Sequence, residues 1–478
     1  MSEFRRQHPV AAVTQFLTVV RQNLVPIAIF LVVGTRNTDN FFWYFFAFGV
    51  ISTLILGIVG WLRFTYRVDG DELQIKKGIF VRKNLYLTKD RIQVIDITEG
   101  ILQRIFGLVK VEVKSAGSGT SSATISAITR DEALELRSLL RGEAKKAEEE
   151  SVEIEEVSES DVLEWRLSGR DLLLAALTSG NFGLIASILG AISGQLDQFI
   201  TEENMYYILD KVPGLGNTSL FVGVFILIFI ISYLFSFIGV VFQYSDFKVE
   251  KKEKELHITS GLLERKHITV PFNRIQALRF VEGIFREPFG YGMLFVESAG
   301  FEQKSNERSI VLLPFIKKSK LNKFLSEFIE EVEQPEKTVT PPERAFLRYL
   351  RRPNYILILT VLITWWFWDF GWIFFGFLIP ATFLGWLRFN DAKLSFNQKM
   401  MTLQYRVLAK TTAFFKKNRA QVSELTANPF QKFGDLTTAH ITVASGAGGK
   451  AFSVMDLDQK DAEDILVWST GDTYEQQA

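Results

Sequence analysis

The sequence predicts a multi-pass membrane protein in which helical hairpins alternate with three copies of one small β-barrel or sandwich module, each closed by a C-terminal helix. Three observations predict it. Uncharged apolar runs of bilayer length recur, a set of short marks returns three times in the same order, and an amphipathic helical pattern follows each set.

The spans come first. A hydrocarbon core about 30 Å thick needs roughly 20 apolar residues in a helix. Phe41 to Leu62 and Leu220 to Phe242 meet that length with no charged residue. Leu172 to Ile192 also qualifies, with Ser179, Gly180 and Asn181 as a polar interruption, and so does Phe16 to Val33 apart from Arg21, Gln22 and Asn23. Tyr355 to Phe383 carries charge only at Asp369, inside Trp365-Trp366-Phe367-Trp368-Asp369-Phe370-Gly371-Trp372. Trp favours the water interface and Asp-Phe-Gly suits a turn, so two short helices are expected to meet there, as full spans or as a re-entrant hairpin. Six spans in three pairs result. Arg21, Asn23 and Asn181 are the intramembrane polar groups, suspects for function by default, although Arg21 can reach the head groups along its own stem.

Pairing returns the chain to one side after each hairpin, so the three long polar segments share a compartment. Their flanks read Arg5-Arg6, Arg63, Arg166, Arg170, Arg351-Arg352 and Arg388, while Ser193 to Thr218 holds four acids against Lys211. The positive-inside rule then predicts cytoplasmic modules and cytoplasmic termini at an inner membrane. No cleavable leader is expected, because Val32-Val33-Gly34 lacks a small-x-small site. The resulting division is hairpins at 10–62, 166–243 and 353–387, modules at 63–147, 244–333 and 388–470, an acidic linker at 148–165 and a proline-containing linker at 334–352.

Within the modules the same marks recur. Gly60-Trp61-Leu62-Arg63-Phe64 and Gly385-Trp386-Leu387-Arg388-Phe389 close the first and third hairpins. Asp90-Arg91-Ile92-Gln93, Asn273-Arg274-Ile275-Gln276 and Asn418-Arg419-Ala420-Gln421 come next, then Phe106-Gly107, Phe289-Gly290 and Phe433-Gly434. Val113-Lys114-Ser115-Ala116-Gly117, Val296-Glu297-Ser298-Ala299-Gly300 and Val443-Ala444-Ser445-Gly446 complete the set. Short β-branched runs between these marks read as strands. Asp131 to about Lys146, about Ile316 to Val332, and Gln459 to Val467 read as the closing helices. The third copy is the most diverged.

Composition excludes several function classes. Lys plus Arg and Asp plus Glu are both 54, so no net charge recruits nucleic acid. There is no cysteine, which removes thiolate metal sites, disulfides and cysteine nucleophiles. His8, His257, His267 and His440 are scattered without metal-ligand spacing, and Gly446 to Lys450 lacks the first Gly and the Ser or Thr of a phosphate loop. No enzyme active site, metal or cofactor is expected.

With these marks set after transmembrane hairpins, the chain resembles the bacterial pleckstrin-homology-like (PH-like) membrane proteins of the YdbT type over nearly its whole length. The resemblance implies a PH-like barrel of two roughly orthogonal antiparallel sheets capped by a helix, and a place in the cytoplasmic membrane of a bacterium. It also implies a membrane partner, such as a smaller single-module relative, and a part in envelope defence. It brings no catalytic residues.

Candidate head-group or partner contacts are Arg91 and Gln93, Arg274 and Gln276, and Arg419 and Gln421. Arg offers a planar fork of donors suited to phosphate, but strand alternation puts Arg and Gln on one face, where they can equally hold a loop; the structural role is the expectation. The basic pairs Lys76-Lys77, Arg82-Lys83, Lys251-Lys252, Arg265-Lys266 and Lys416-Lys417 read mostly as solvated surface. The function expected is a binding and scaffolding platform of three modules for membrane lipids or a membrane protein partner. The alternative is a component of a transporter or exporter for peptides or lipids.

Overall fold

Alternation of buried and exposed side chains builds each module from two antiparallel sheets. The computed structural model describes residues 3–22, 27, 40–115, 122–141, 163–179, 217–298, 309–329, 335–367, 369–445 and 449–470. In the first module, strands β1 (Arg5–Arg6), β2 (Thr65–Asp69), β3 (Glu72–Lys77) and β4 (Lys83–Thr88) form one sheet in that order. Strands β5 (Ile92–Glu99), β6 (Leu108–Ser115) and β7 (Ser122–Thr129) form the second, with a short helix α3 (Ile101–Ile105) between β5 and β6. Tyr66, Leu73, Ile75 and Ile125 are fully enclosed between the sheets, where burying each contributes about 1.5–3 kcal/mol. Helix α4 (Arg130–Arg141) closes the module with Ala133, Leu136 and Leu140 inward, one and two turns apart, while Leu134 is exposed.

The second module repeats this with β8 (Leu163–Arg166), β9 (Lys248–Lys252), β10 (Glu255–Ser260) and β11 (Arg265–Pro271), then β12 (Ile275–Glu282), β13 (Tyr291–Ser298) and β14 (Ile310–Lys317). The third uses β15 (Lys337–Val339), β16 (Lys393–Phe396), β17 (Met400–Arg406) and β18 (Lys410–Lys416), then β19 (Ala420–Thr426), β20 (Leu436–Val443) and β21 (Lys450–Asp458). Their sequence-expected closing helices run from Lys318 to Phe328 and from Gln459 to Thr470, burying Leu321, Phe324, Leu325 and Phe328 in one and Ala462, Ile465 and Trp468 in the other.

The helices are inserted within each first sheet rather than standing ahead of it. Helices α1 (Val10–Gln22) and α2 (Asn40–Leu62) leave the chain between β1 and β2. Helices α5 (Gly169–Leu177) and α6 (Asn217–Tyr244) lie between β8 and β9. Helices α8 (Phe346–Phe367) and α9 (Leu378–Asp391) lie between β15 and β16, counting the closing helix Lys318–Phe328 as α7. The proline-containing stretch 334–352 is therefore more than a solvated connection: it supplies β15, and Val339, Ala345 and Tyr349 are buried in the third core. The acidic stretch 148–165 likewise ends in β8.

Among the described residues, one helical run, Gly371–Asp391, is long and apolar enough to cross a membrane by length and composition. Val10–Val20, Phe46–Leu62 and Phe229–Tyr244 are shorter apolar runs. The structure thus supports one candidate span, whereas the sequence predicts six. The side chain of Arg21, and all of Asn23 and Asn181, lie outside the described residues.

The modules are joined sheet to sheet, which their separate sequence copies did not reveal. One seven-stranded sheet runs β7-β6-β5-β11-β10-β9-β8 and a second runs β14-β13-β12-β18-β17-β16-β15. Glu99, Thr98 and Ile97 on β5 pair with Arg265, Lys266 and His267 on β11. Glu282, Val281 and Phe280 on β12 pair with Lys410, Thr411 and Thr412 on β18, and the pairing continues to Leu278 and Phe414. Counted from each module's first paired residues, the two junctions use the same register.

The third hairpin closes tightly at the recurring Gly-Trp-Leu-Arg-Phe mark. A Cβ on Gly385 would lie 2.5 Å from the Tyr349 carbonyl oxygen and 2.9 Å from Leu350 Cα, so only glycine lets α9 approach α8. Gly385→Ala is expected to part the helices at a cost of about 1–3 kcal/mol. Gly376→Ala, with nothing within 4 Å of its added carbon, is expected to be silent, and thermal unfolding in detergent distinguishes the two.

Candidate functional site

The Arg-x-Gln positions mark a corner in the chain rather than one face of a strand. Arg91, Arg274 and Arg419 each end a one-turn 3-10 helix, Lys89–Arg91, Phe272–Arg274 and Lys417–Arg419, that carries the chain from the first sheet to the second. In the second and third copies the helical turn interrupts strand alternation just before the Gln, so alternation does not by itself set Arg274 with Gln276 or Arg419 with Gln421 on one face. Gln93, Gln276 and Gln421 come just after, on β5, β12 and β19; the side chains of Arg91 and Gln93 lie outside the described residues. Gln276 is buried and donates from Nε2 to the Arg274 carbonyl at 3.3 Å. Arg419 reaches back to the second module, donating to the Asn273 carbonyl at 3.0 Å, while Gln421 is exposed.

A different set of charged side chains stands where each chain segment leaves the second inserted helix. In each module the first long strand and its neighbour pair at equivalent positions, Thr65 with Lys76, Lys248 with Thr259 and Lys393 with Gln404. Two residues before these strand positions stand Arg63, Asp246 and Asp391. In the second module Asp246 pairs with Arg265 at 2.5 Å. In the third, Asp391 pairs with Arg406 and with Lys410 at 2.6 Å, and Arg406 also pairs with Glu287 of the second module. There the acid neutralises the base that begins or ends the adjoining hairpin.

The first module has Arg63 in that place. Arg63, Lys76, Lys77 and Arg82, with Thr65 and Asn84, line an open cavity of about 340 Å³ that contains no acidic side chain in its wall. Arg63 donates to the Ile79 carbonyl at 2.7 Å, which holds the guanidinium at the cavity rim. Gly78 makes the turn: its φ of +116° and the 1.9 Å separation that a Cβ would have from the Val81 oxygen demand glycine, as at Gly261 in the second module. The third module lacks this glycine because its turn is built differently, with Arg406 paired directly to Lys410. By composition alone Lys76-Lys77 and Arg82-Lys83 read as solvated surface. The signal that singles them out is the missing acid: by strand register Arg63 stands where Asp246 and Asp391 do, although by the Gly-Trp-Leu-Arg-Phe mark and its carbonyl bond its counterpart in the third module is Arg388.

The cavity has an apolar rim. Phe80, 89% exposed, and Val81 form the tip of its hairpin, held against the end of α2 by the Arg63 bond. Arg388 donates in the same way to the Val407 carbonyl at 2.7 Å, and in the second module Leu262 N donates to the Phe242 carbonyl at 2.9 Å. The exposed tips Leu262-Leu263 and Val407-Leu408 thus also sit against helix ends. The junctions add to this row, since Arg104 on α3 donates to the Leu262 carbonyl at 3.1 Å beside exposed Ile101, Ile105 and Phe106. The third-copy Phe433-Gly434 mark is displaced by one residue. The left-handed residue there is Asp435, φ +49°, matching Gly107 and Gly290.

Buried polar groups tie the second and third modules together. Glu297 is fully buried and accepts from Arg279 Nε at 3.0 Å, from Ser309 Oγ at 2.7 Å and, across the junction, from Ser445 Oγ at 2.9 Å. Both Glu297 and Ser445 belong to the recurring Val-x-Ser marks, which accounts for them as structural. At the other junction, burial pushes the His267 imidazole below its ordinary range, with the nearby Glu99 opposing and Arg265 and Arg130 reinforcing. A histidine depressed by folding binds fewer protons folded than unfolded. Stability is then full above about pH 6.5, the ordinary histidine value, and falls as the pH drops below it. His267→Gln is expected to flatten that acid limb, read as melting temperature from pH 7.5 to 5.

Comparison with known proteins matches residues 14–144, 203–332 and 346–472 to the bacterial PH domain, three times in succession. The chain is also 33% identical over 490 residues to the UPF0699 transmembrane protein YdbT of Bacillus subtilis (strain 168), covering 98% of each.

Proposed function

The chain belongs to the bacterial PH domain family, and from that membership we propose that it is a multi-pass protein holding three PH-like modules as one platform on the cytoplasmic face of a membrane. In this reading its first module takes the phosphate of an anionic lipid head group, and the protein binds rather than catalyses.

The observation that carries the lipid assignment is the exchange of acid for base at Arg63. Where the other copies place an acid at this register position, the first has Arg63, and Arg63, Lys76 and Arg82 stand around an open cavity whose lining holds no acid. Arg presents its donors as a fork matched to phosphate, and each cation near an anionic leaflet contributes about 1 kcal/mol. The cavity begins within three residues of the end of α2, so an α2 that crosses the bilayer sets it at head-group level. The exposed Phe80 and Val81 beside it suit the boundary between head groups and acyl chains.

Sheet continuity supports the topology. Hydrogen-bonded strands cannot pair across a bilayer, so β5 with β11 and β12 with β18 favour three modules on one side and an even number of crossings between them. The basic flanks favour the cytoplasmic side.

The test uses the full chain purified from native membranes, with retained lipid counted by native mass spectrometry. Arg63→Asp places an acid at the register position of the other two modules and is expected to lower retention of acidic phospholipid at least about tenfold, roughly 1.4 kcal/mol. Lys77→Glu with Arg82→Glu is expected to do the same. Unchanged retention in both variants contradicts the lipid assignment.

A further inference from the structure

The two internal junctions define a head and a tail for every module. The head is the last strand of the first sheet: β4, β11 and β18. The tail is the first strand of the second sheet: β5, β12 and β19. Two tails, β5 and β12, take the heads β11 and β18 of the next module along the chain. Among the described residues, the head β4 pairs only with β3 and the tail β19 only with β20, so each ends its sheet.

The open edges look like junction surfaces without their partner. Ala277 on β12 is 2% exposed, whereas Val422 at the equivalent place on β19 is 54% exposed. Thr269 on β11 is 4% exposed, whereas Tyr86 at the equivalent place on β4 is 56% exposed. Long unpaired edges bearing apolar side chains favour pairing with another strand. Neither strand contains a proline that would remove a pairing donor.

We propose that β19 of one copy of this chain pairs antiparallel with β4 of a second copy, in the register already used at both internal junctions. That register sets Thr426 opposite Lys83, as Thr98 is opposite Lys266 and Val281 opposite Thr411. Leu425 then faces Asn84, Glu424 faces Leu85, and Ser423 faces Tyr86. Glu424 becomes the diagonal neighbour of Lys83, an opposite-charge contact of the kind that stabilises antiparallel pairs. A second copy is the occupant because this chain carries both halves of the contact, and the fit between such halves occurs twice within it. The contact is heterologous, so it extends the three-module row from chain to chain. A membrane that holds the modules in one plane favours it further by confining head and tail to the same height.

The absence of cysteine makes the test direct. Chains carrying Lys83→Cys and chains carrying Thr426→Cys are co-expressed, and native membranes are oxidised. Directly opposed antiparallel residues have Cα atoms about 4.5–5.5 Å apart, within disulfide reach. A disulfide-linked pair of chains is expected from the mixture and not from either variant alone. Gln421→Cys mixed with Lys83→Cys, about five residues out of register, is expected to give none. Failure of the in-register link, equal linking by Gln421→Cys, or capture of a smaller protein in place of the second copy overturns the proposal. Should the cysteine chains fail to fold, mass photometry of the unaltered chain in native-lipid discs decides: two or more copies per disc are expected, and discs holding single copies overturn it.

Discussion

An exposed sheet edge is the constraint on which this architecture depends. Each module divides its strands between two short sheets, and each sheet so made has a row of backbone N–H and C=O groups to satisfy. The neighbouring module supplies the partner. Each hydrogen bond gained contributes about 0.5–1.5 kcal/mol net, and the apolar side chains beside the edge leave water at the same time. One consequence is mechanical: two modules joined in this way share a continuous sheet, and strands so paired cannot lie on opposite sides of a bilayer. Another is that strands β1, β8 and β15, ahead of each helix pair, belong to the first sheets rather than serving as tethers to them.

Repetition lets each copy serve as a control for the others. Asp246 and Asp391 pair with hairpin bases in the second and third modules, and the first module has no acid at that register position. The second and third modules use their cations to hold the turn and the junction, as in the pairing of Arg406 with both Asp391 and Glu287. In the first module Arg63, Lys76 and Arg82 line an open cavity instead. Position in the row and chemistry of the site thus go together.

Much of this was legible in sequence. Apolar runs announced the helices, and the order of the marks announced three copies, because period and spacing obey local geometry that each segment satisfies by itself. The closing helices were legible for the same reason, through Leu321, Phe324, Leu325 and Phe328 at helical spacing. The junctions were not, since strand pairing between distant segments leaves no local period: nothing near Glu99 names Arg265 as its partner. Arg91, Arg274 and Arg419 drew attention by recurring, yet recurrence marked the corner between sheets. The candidate site went unseen because it rests on a difference between copies, and the alignment that exposes it needs strand register. The linkers misled through composition, since Pro341 and Pro342 suggest solvated chain where the fold buries Val339 and Ala345 on either side.

The side on which each module lies tests the whole most directly. The turns at Asp71, Lys254 and Lys399 occupy the same exposed place in the first sheet of the three modules, each accepting a hydrogen bond at its carbonyl from the start of the following 3-10 turn. Single cysteines there, in a chain that otherwise has none, can be labelled with a membrane-impermeant maleimide in sealed right-side-out and inverted vesicles. The account requires all three to react from the cytoplasmic side alone. Reaction of any two from opposite sides would contradict it, because the strands said to join those modules would then lie on either side of a bilayer.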